Sequence, residues 1–488
     1  MTQKEMQSIL EIGTAISSEK DYNRLLEMIL NRIMELTHAD AGTLYLADGD
    51  LLRFKIMCNN TMHTCEGGDG KEPNLPPVRM SRENVCVMCY LENRTVCIEN
   101  VRTSTEYDFS GPVRYDAMTG YHTQSMLVVP MHNRQGERLG VIQLINAMDA
   151  AGNICAFPAD IIPAVESVAS QAAITIQNVL YIENIKELFE SFVRVMSSAV
   201  DERTPYNASH TRHMVEYGRH FIDYLNETAK AEGREPWFDA EHRHELLMSV
   251  WLHDIGKLVI PLEVMNKEAR LLPEQKSEIL HRFEKMRLLA QIACLKGAIS
   301  GEALEKRLEE LKQDGDTILR ANTAGFCPDD LREEICRIRK KTYTEEDGSE
   351  KPWLEEEEFQ MLMIRKGTLS EKERAVMESH VVITDKLLSE IRFSKELSHV
   401  REWAASHHEL LNGSGYPEHL MAEQIPMEVR IITILDIFDA LVADDRPYKP
   451  GMPVEKALGI LDIMADKEGK LDPELTRLFR KSRCWEKD

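Results

Sequence analysis

The period of the hydrophobic pattern changes along this chain, and the changes mark out its parts. Near the start, Met6, Ile9, Ile12 and Ile16 recur at helical spacing. A second amphipathic helix is predicted from Tyr22 to Thr37, with Leu25, Leu26, Ile29, Ile33 and Leu36 on one face. Short apolar or alternating runs at 41–46, 51–56, 125–130 and 140–146 then read as strands, and turn-forming sequence at 47–50 and 133–136 adjoins them. From 158 to about 200 the period returns to threes and fours through Val165, Val168, Ala172, Ile176, Val179, Ile182, Ile185, Leu188, Phe189 and Phe192, which predicts one long helix. Its stripe fits either the seam of a parallel dimer or packing on its own domain. The seam is favoured, because a helix between two domains has little else to bury against.

From 201 onward the pattern is almost wholly helical. The exception is a charged, weakly periodic stretch at 266–368, which includes 302–310 and the acidic run 355–358. It reads as helical hairpin material with a polar loop near 344–351, a solvated insertion rather than part of an active site. The predicted architecture is therefore multidomain. An α/β domain over 1–160 is joined by a connecting helix, 161–200, to an all-α domain over 201–488 that carries the 266–368 insertion.

Composition narrows the class. With 43% hydrophobic and 29% charged residues the chain is an ordinary globular one. No apolar run reaches the ~18 residues of a spanning helix and the polar N-terminus lacks a signal-peptide pattern, so a cytoplasmic protein with no membrane contact is expected. A formal net charge of −23 argues against a nucleic acid polymer as partner. It leaves small anions open, since metals and a few lysines reverse a local field.

The chemistry concentrates in two segments. One is His253-Asp254-Ile255-Gly256-Lys257, and the other is His407-His408-Glu409 running on to Gly413-Ser414-Gly415-Tyr416-Pro417. Neighbouring residues on a helix diverge by about a third of a turn, so adjacent ligand pairs make sense if each member reaches a different metal ion. Such a dinuclear site hydrolyses phosphate esters. His210 at a helix start, His380 on a helix, and Asp436 inside the apolar run 431–438 add further ligand candidates. A charge buried among apolar residues is costly, and a metal offsets that cost. His and Asp ligands together suit iron or manganese. Lys257 follows Asp254 by three residues, so it shares that face and can direct its ammonium at a phosphate oxygen.

These motifs, together with Asp436-Ile437-Phe438-Asp439-Ala440-Leu441 and Asp445-Arg446-Pro447-Tyr448-Lys449, resemble the HD-GYP family of cyclic di-GMP phosphodiesterases. The resemblance implies an all-α HD-type metal-dependent phosphohydrolase domain that opens cyclic di-GMP to linear pGpG and onward to GMP. It implies metal ligation by His210, His253, Asp254, His380, His407, His408 and Asp436. His253, Asp254 and Lys257 are then catalytic, and Lys257, Gly415, Tyr416, Arg446 and Lys449 bind substrate. Tyr206 stands where some members have a glutamate for a third metal, so two divalent ions are expected. Asn412 replaces a common aspartate, and an additional residue appears around Ala443-Asp444. Glu409 is expected to orient a ligand histidine. Diguanylate cyclase-type partners and a homodimer complete the expectation. The alternatives are a non-catalytic cyclic di-GMP receptor and another HD-type nucleotide phosphohydrolase.

The first 160 residues resemble a GAF domain, a sensor of small ligands, which implies an unidentified small ligand there. Tyr115-Asp116 and Thr119-Gly120-Tyr121-His122-Thr123 resemble the cyclic-nucleotide-binding subset, although Ala117 stands where that subset has an acidic residue. Cys58, His63, Cys65, Cys86 and Cys89 gather in this domain and could form a metal or redox cluster. Free thiols are the favoured expectation in a reducing compartment.

Overall fold

The computed structural model describes residues 13–16, 18–19, 21–68, 73–133, 135–203, 209–345, 347–443 and 451–486. The chain splits into two compact units, Met1–Phe189 and Glu190–Asp488. The initial helix expected from Met6, Ile9 and Ile12 lies outside the described residues, although Ile16 is buried.

In the first unit the helix Tyr22–Thr37 begins where the Asp21 side chain accepts from the Arg24 N–H, and ends where His38 turns left-handed. Its apolar face covers an antiparallel sheet with order β3-β2-β1-β7-β6-β5, in which β4 pairs β2 and β8 pairs β7. The long strands are β1 Ala39–Asp48, β2 Leu51–Asn59, β6 Met126–His132 and β7 Arg138–Met148. The shorter ones are β3 Thr64–Gly67, β4 Val78–Arg79, β5 Val96–Ile98 and β8 Ile154–Cys155. Leu25, Ile29, Ile33, Leu44, Ile142 and Leu144 form one core with Val165, Val168, Ala172 and Ile176 of the helix Ile162–Asp201. Asp116 is buried, bonded to the Thr123 N–H and hydroxyl and paired with Arg102.

The expectation of free thiols fails at one pair. Cys58 and Cys65 lie directly opposite each other on β2 and β3, Cα atoms 4.1 Å apart, and form a disulfide. Strand register brings them together, and register is set by the turn at 60–63 rather than by cysteine spacing. Cys86 and Cys89 lie in the short helix Val85–Glu92 as buried free thiols, and burial pushes the Cys86 thiol up to about 12.

The stripe of the long helix divides in two. Val165 to Ile176 are buried in the first unit's core, whereas Ile185 and Leu188 are 66% and 71% exposed.

The second unit is mainly helical. Its main core gathers Met214, Phe221, Leu246, Val250, Trp403, Leu435 and Phe438 from the helices His210–Ala231, Ala240–Leu252, Val400–Ala405 and Met427–Val442. The insertion departs from a purely solvated hairpin. Helices Pro273–Leu295 and Gly301–Thr323 enclose a core of their own around Trp353, Ile318 and Ile335. The expected polar loop includes a two-stranded ribbon, Thr342–Thr344 with Glu350–Pro352. Arg307 and Lys341 both lie over the Trp353 ring, so charged side chains roof this small core.

Candidate metal centre

The site is built from helix ends. His210 opens the helix His210–Ala231 and His380 opens His380–Ser389. His253 caps the C-terminus of Ala240–Leu252, and Asp254 precedes the 3-10 turn Ile255–Leu258. His407 and His408 follow Val400–Ala405, while Asp436 lies inside Met427–Val442. These elements carry all seven residues to one place. His210, His253 and Asp254 form one cluster and His380, His407 and His408 a second, with ligand atoms in each within 4.8 Å of one another.

Asp254 stands between the clusters. Its Oδ2 is 3.2 Å from His253 Nε2 and 3.9 Å from His210 Nε2. Its Oδ1 is 3.4 Å from His380 Nε2 and 3.9 Å from His407 Nε2. Asp436 approaches from the other side, with Oδ1 at 3.4 Å from His210 Nε2 and Oδ2 at 3.6 Å from His408 Nδ1.

Three histidines are oriented by the same device. The Nδ1–H of His253, His380 and His407 donates to the carbonyl three residues earlier, on Val250, Met377 and Ala404, at 2.7, 2.8 and 2.7 Å. A carbonyl only accepts, so the proton sits on Nδ1 and the Nε2 lone pair faces the site. Those three Nε2 atoms and Asp254 Oδ1 are buried without a hydrogen-bond partner. Their contacts with one another lack hydrogen-bond geometry despite the short separations. Buried polar atoms are rarely left this way, and four orphaned electron-pair donors gathered around Asp254 fit divalent-cation binding. The protein supplies only nitrogen and oxygen donors there, consistent with the HD domain's character as a divalent-metal centre.

The charge states agree. Burial pushes His380 down to about 4, with Asp254 opposing, and burial also lowers His407 and His408. Burial acts against ionised Asp254 and Asp436, but their partners outweigh it: Lys257 and His253 hold Asp254 well below its usual range, and His210 and His408 do so for Asp436. His210 is the exception. Burial opposes its charge, yet hydrogen bonds and charge from Asp436 and Asp439 raise it to about 10. Lys257 donates to Asp254 Oδ2. Burial again acts against its charge, while Asp254, Asp436 and Asp201 hold its ammonium above the ordinary value.

One expected role changes. Glu409 does not reach a ligand histidine; its carboxylate accepts from the Glu418 and Leu420 N–H groups and ties down the following loop. Gly415 brings the loop close to the chain itself, since a Cβ there would fall 2.3 Å from Leu410 N and 2.6 Å from His408 O. Tyr416 packs against His408 with ring centroids 4.8 Å apart and the ring planes tilted by 34°. Tyr206, Arg446 and Lys449 lie outside the described residues.

Sequence reasoning missed Asp439, whose Oδ2 accepts from His210 Nδ1 at 2.6 Å and thereby fixes that ring. Its signal was present: it follows Asp436 by three residues on the same helix. It also missed Thr384, whose hydroxyl donates to the His253 carbonyl and accepts from the Gly256 N–H.

Residues 21–176 match the GAF domain family and residues 357–475 match the HD domain family. The chain thus pairs an N-terminal α/β GAF domain with a helical HD-domain region. One stretch of 121 residues is 36% identical to the 3'3'-cGAMP-specific phosphodiesterase 3 of Vibrio cholerae, covering 25% of this chain and 25% of that protein. Another, of 102 residues, is 40% identical to the cyclic di-GMP phosphodiesterase response regulator RpfG of Xanthomonas campestris, covering 20% and 26%. A cyclic di-GMP phosphodiesterase of Thermotoga maritima is 36% identical over 121 residues, covering 25% and 32%. The similarity spans about a quarter to a third of the length of these curated relatives. No helix among the described residues is long and apolar enough to cross a membrane.

Proposed function

We propose that this chain is a metal-dependent phosphodiesterase of the HD-GYP type that hydrolyses cyclic di-GMP to linear pGpG, with the GAF domain regulating it. The observation that carries the reading is the convergence of His253, His380, His407 and Asp254 with their donor atoms buried and unpartnered. His210, His408 and Asp436 complete the ligand set, and the named relatives supply the substrate class. The domain assignment is 1–160 for the sensor, 161–200 for the connecting helix and 201–488 for the catalytic region, interrupted at 266–368.

Two divalent ions, iron or manganese, would supply an acidified water and positive charge against the phosphate. The chain's own residues do the rest. Asp254 faces both clusters and joins them. Lys257 keeps its ammonium charged beside that carboxylate, poised for a nonbridging phosphate oxygen as charge grows there. The Tyr416 ring, braced on His408, offers a face on which a guanine can stack. Arg446 and Lys449 provide further phosphate contacts from outside the described residues.

The exposed positions Tyr181, Ile185 and Leu188 follow one another by four and three residues, the spacing of a two-stranded coiled coil. A second copy of the same helix satisfies that spacing in register, which supports a homodimer. The deciding experiment is turnover of cyclic di-GMP and 3'3'-cGAMP by protein reconstituted anaerobically with iron or manganese. Cyclic di-GMP cleavage to pGpG, lost in His253→Ala and Asp254→Ala together with bound metal, is expected. Tight binding of an uncleaved dinucleotide by metal-replete protein would replace the enzyme with a receptor.

A further inference from the structure

The 3-10 turn Ile255–Leu258 carries Lys257, and the Ile260 N–H donates to the Lys257 carbonyl at 3.2 Å. Arg203, two residues beyond the helix Ile162–Asp201, supplies further donors to the carbonyl end of this turn. Its guanidinium donates to the Lys257 carbonyl at 2.9 Å, to the Leu258 carbonyl, and to the Ile260 carbonyl at 3.2 Å. One planar fork thus spans three carbonyl acceptors, on Lys257, Leu258 and Ile260, at the end of the turn. The last turns of the same helix make a second bond, from the Ser197 hydroxyl to the Trp251 carbonyl, on the approach to His253.

The opposite side of the turn is fixed by different means. Gly256 donates to Thr384 Oγ1 at 3.0 Å and lies so close to His380 that a Cβ would fall 2.0 Å from the His380 carbonyl. The turn is therefore held between the His380–Ser389 helix and the Arg203 guanidinium. Arg203 itself bonds backbone oxygens of the turn, behind the ammonium that Lys257 directs at Asp254.

We infer that Arg203 is a positioning residue for Lys257, holding the turn so that the ammonium meets the reacting phosphate. It is also the point through which the end of the long helix acts on the site. The inference rests on the phosphodiesterase reading above. A lysine offers a compact point charge in place of the fork, so Arg203→Lys is expected to restore only part of the hold.

The test is a double-mutant cycle in the full-length, metal-loaded chain, combined with hydrogen exchange of the amides at 255–260. Arg203→Ala should keep its bound metal and lower kcat on cyclic di-GMP by about tenfold to a hundredfold, as small misplacements of catalytic groups do, with Arg203→Lys in between. Because Arg203 acts through Lys257, Arg203→Ala in a Lys257→Ala background should produce no further loss. Exchange across 255–260 should accelerate in Arg203→Ala, with and without metal, and stay unchanged in Lys257→Ala. Unchanged exchange in Arg203→Ala, or losses that multiply in the double variant of an active enzyme, would overturn the inference alone. A wild type that cleaves no cyclic dinucleotide brings down the phosphodiesterase reading and the inference with it; the exchange data would then still report whether Arg203 holds the turn.

Discussion

Replacing Gly256 by alanine tests the closest backbone approach in the metal centre. Gly256 has no positive φ, so alanine meets no backbone strain there and the outcome depends on space alone. The added Cβ would lie 2.0 Å from the His380 carbonyl oxygen, 2.7 Å from Thr384 N and 2.8 Å from Thr384 Oγ1. Ordinary contact distances require on the order of 1 Å more, and two of the three obstructing atoms are backbone. The turn and the His380–Ser389 helix must separate, with the Gly256–Thr384 hydrogen bond lost as they do. Overpacking costs about 1–3 kcal/mol and the hydrogen bond about 1 kcal/mol, giving roughly 2–4 kcal/mol in all.

All five tryptophans, Trp237, Trp251, Trp353, Trp403 and Trp485, lie in the second unit, so their fluorescence follows its unfolding without interference from the first. A fall in urea midpoint on the order of 1 M is expected, with reduced bound metal because His380 and Asp254 move apart. Gly218→Ala is the control. Its Cβ meets only the Leu435 and Leu247 side-chain ends, at 3.2 and 3.4 Å, and alanine favours the helix by up to ~1 kcal/mol. If Gly256→Ala unfolds at the wild-type midpoint and keeps its metal, the two segments do not meet as described.

Other consequences follow from the same geometry. Asp439→Ala removes the acceptor that orients His210, so metal affinity measured against a competing chelator should fall about 10- to 100-fold; an unchanged affinity refutes that role. In metal-free protein, burial depresses His380 from 6.5 to about 4, so its neutral form contributes stability above pH 6.5 that is lost as pH falls toward 4. The interval corresponds to roughly 3 kcal/mol, and His380→Gln should flatten the fall of the urea midpoint over that range; an equal slope in both proteins refutes it. His210 has the opposite sign: its contribution is complete below 6.5 and disappears as pH rises toward about 10. Ile185→Glu combined with Leu188→Glu should convert a dimer to a monomer in sedimentation while leaving helical ellipticity intact, and a persistent dimer would place the seam elsewhere.

Much of the fold was legible because its signals are local. The helix Tyr22–Thr37 shows a one-sided stripe and an Asp21 cap, and the long strands show apolar runs next to turn residues. What stayed hidden depends on register or on backbone acceptors. The Cys58–Cys65 pairing follows from where β2 turns into β3. Arg203 acts on carbonyl groups, which leave no mark in the identity of the residues that carry them. The insertion's core escaped notice because the residues around Trp353, among them Arg282, Arg307 and Lys341, make that stretch read as surface.

The adjacent pairs now have a different physical basis from the one their spacing suggested. Divergence by a third of a turn presumes that both residues continue one helix, and neither pair does. His253 caps a helix and Asp254 has already left it at φ −103° and ψ 9°, while His407 and His408 lie beyond Val400–Ala405. Released from helical geometry, each pair keeps both members in one cluster: His253 with Asp254, and His407 with His408. The two carboxylate oxygens of Asp254 then connect the clusters, Oδ2 facing His210 and His253 and Oδ1 facing His380 and His407. The histidine pair is thus local to one cluster, and the link between the clusters falls to the aspartates, Asp254 through His253 and His380 and Asp436 through His210 and His408. Asp254→Asn, which keeps the shape and removes the charge, should therefore weaken metal binding at both clusters together. Stoichiometry measured by metal analysis decides the point: loss of one ion with the other held at wild-type affinity would mean that Asp254 serves a single cluster.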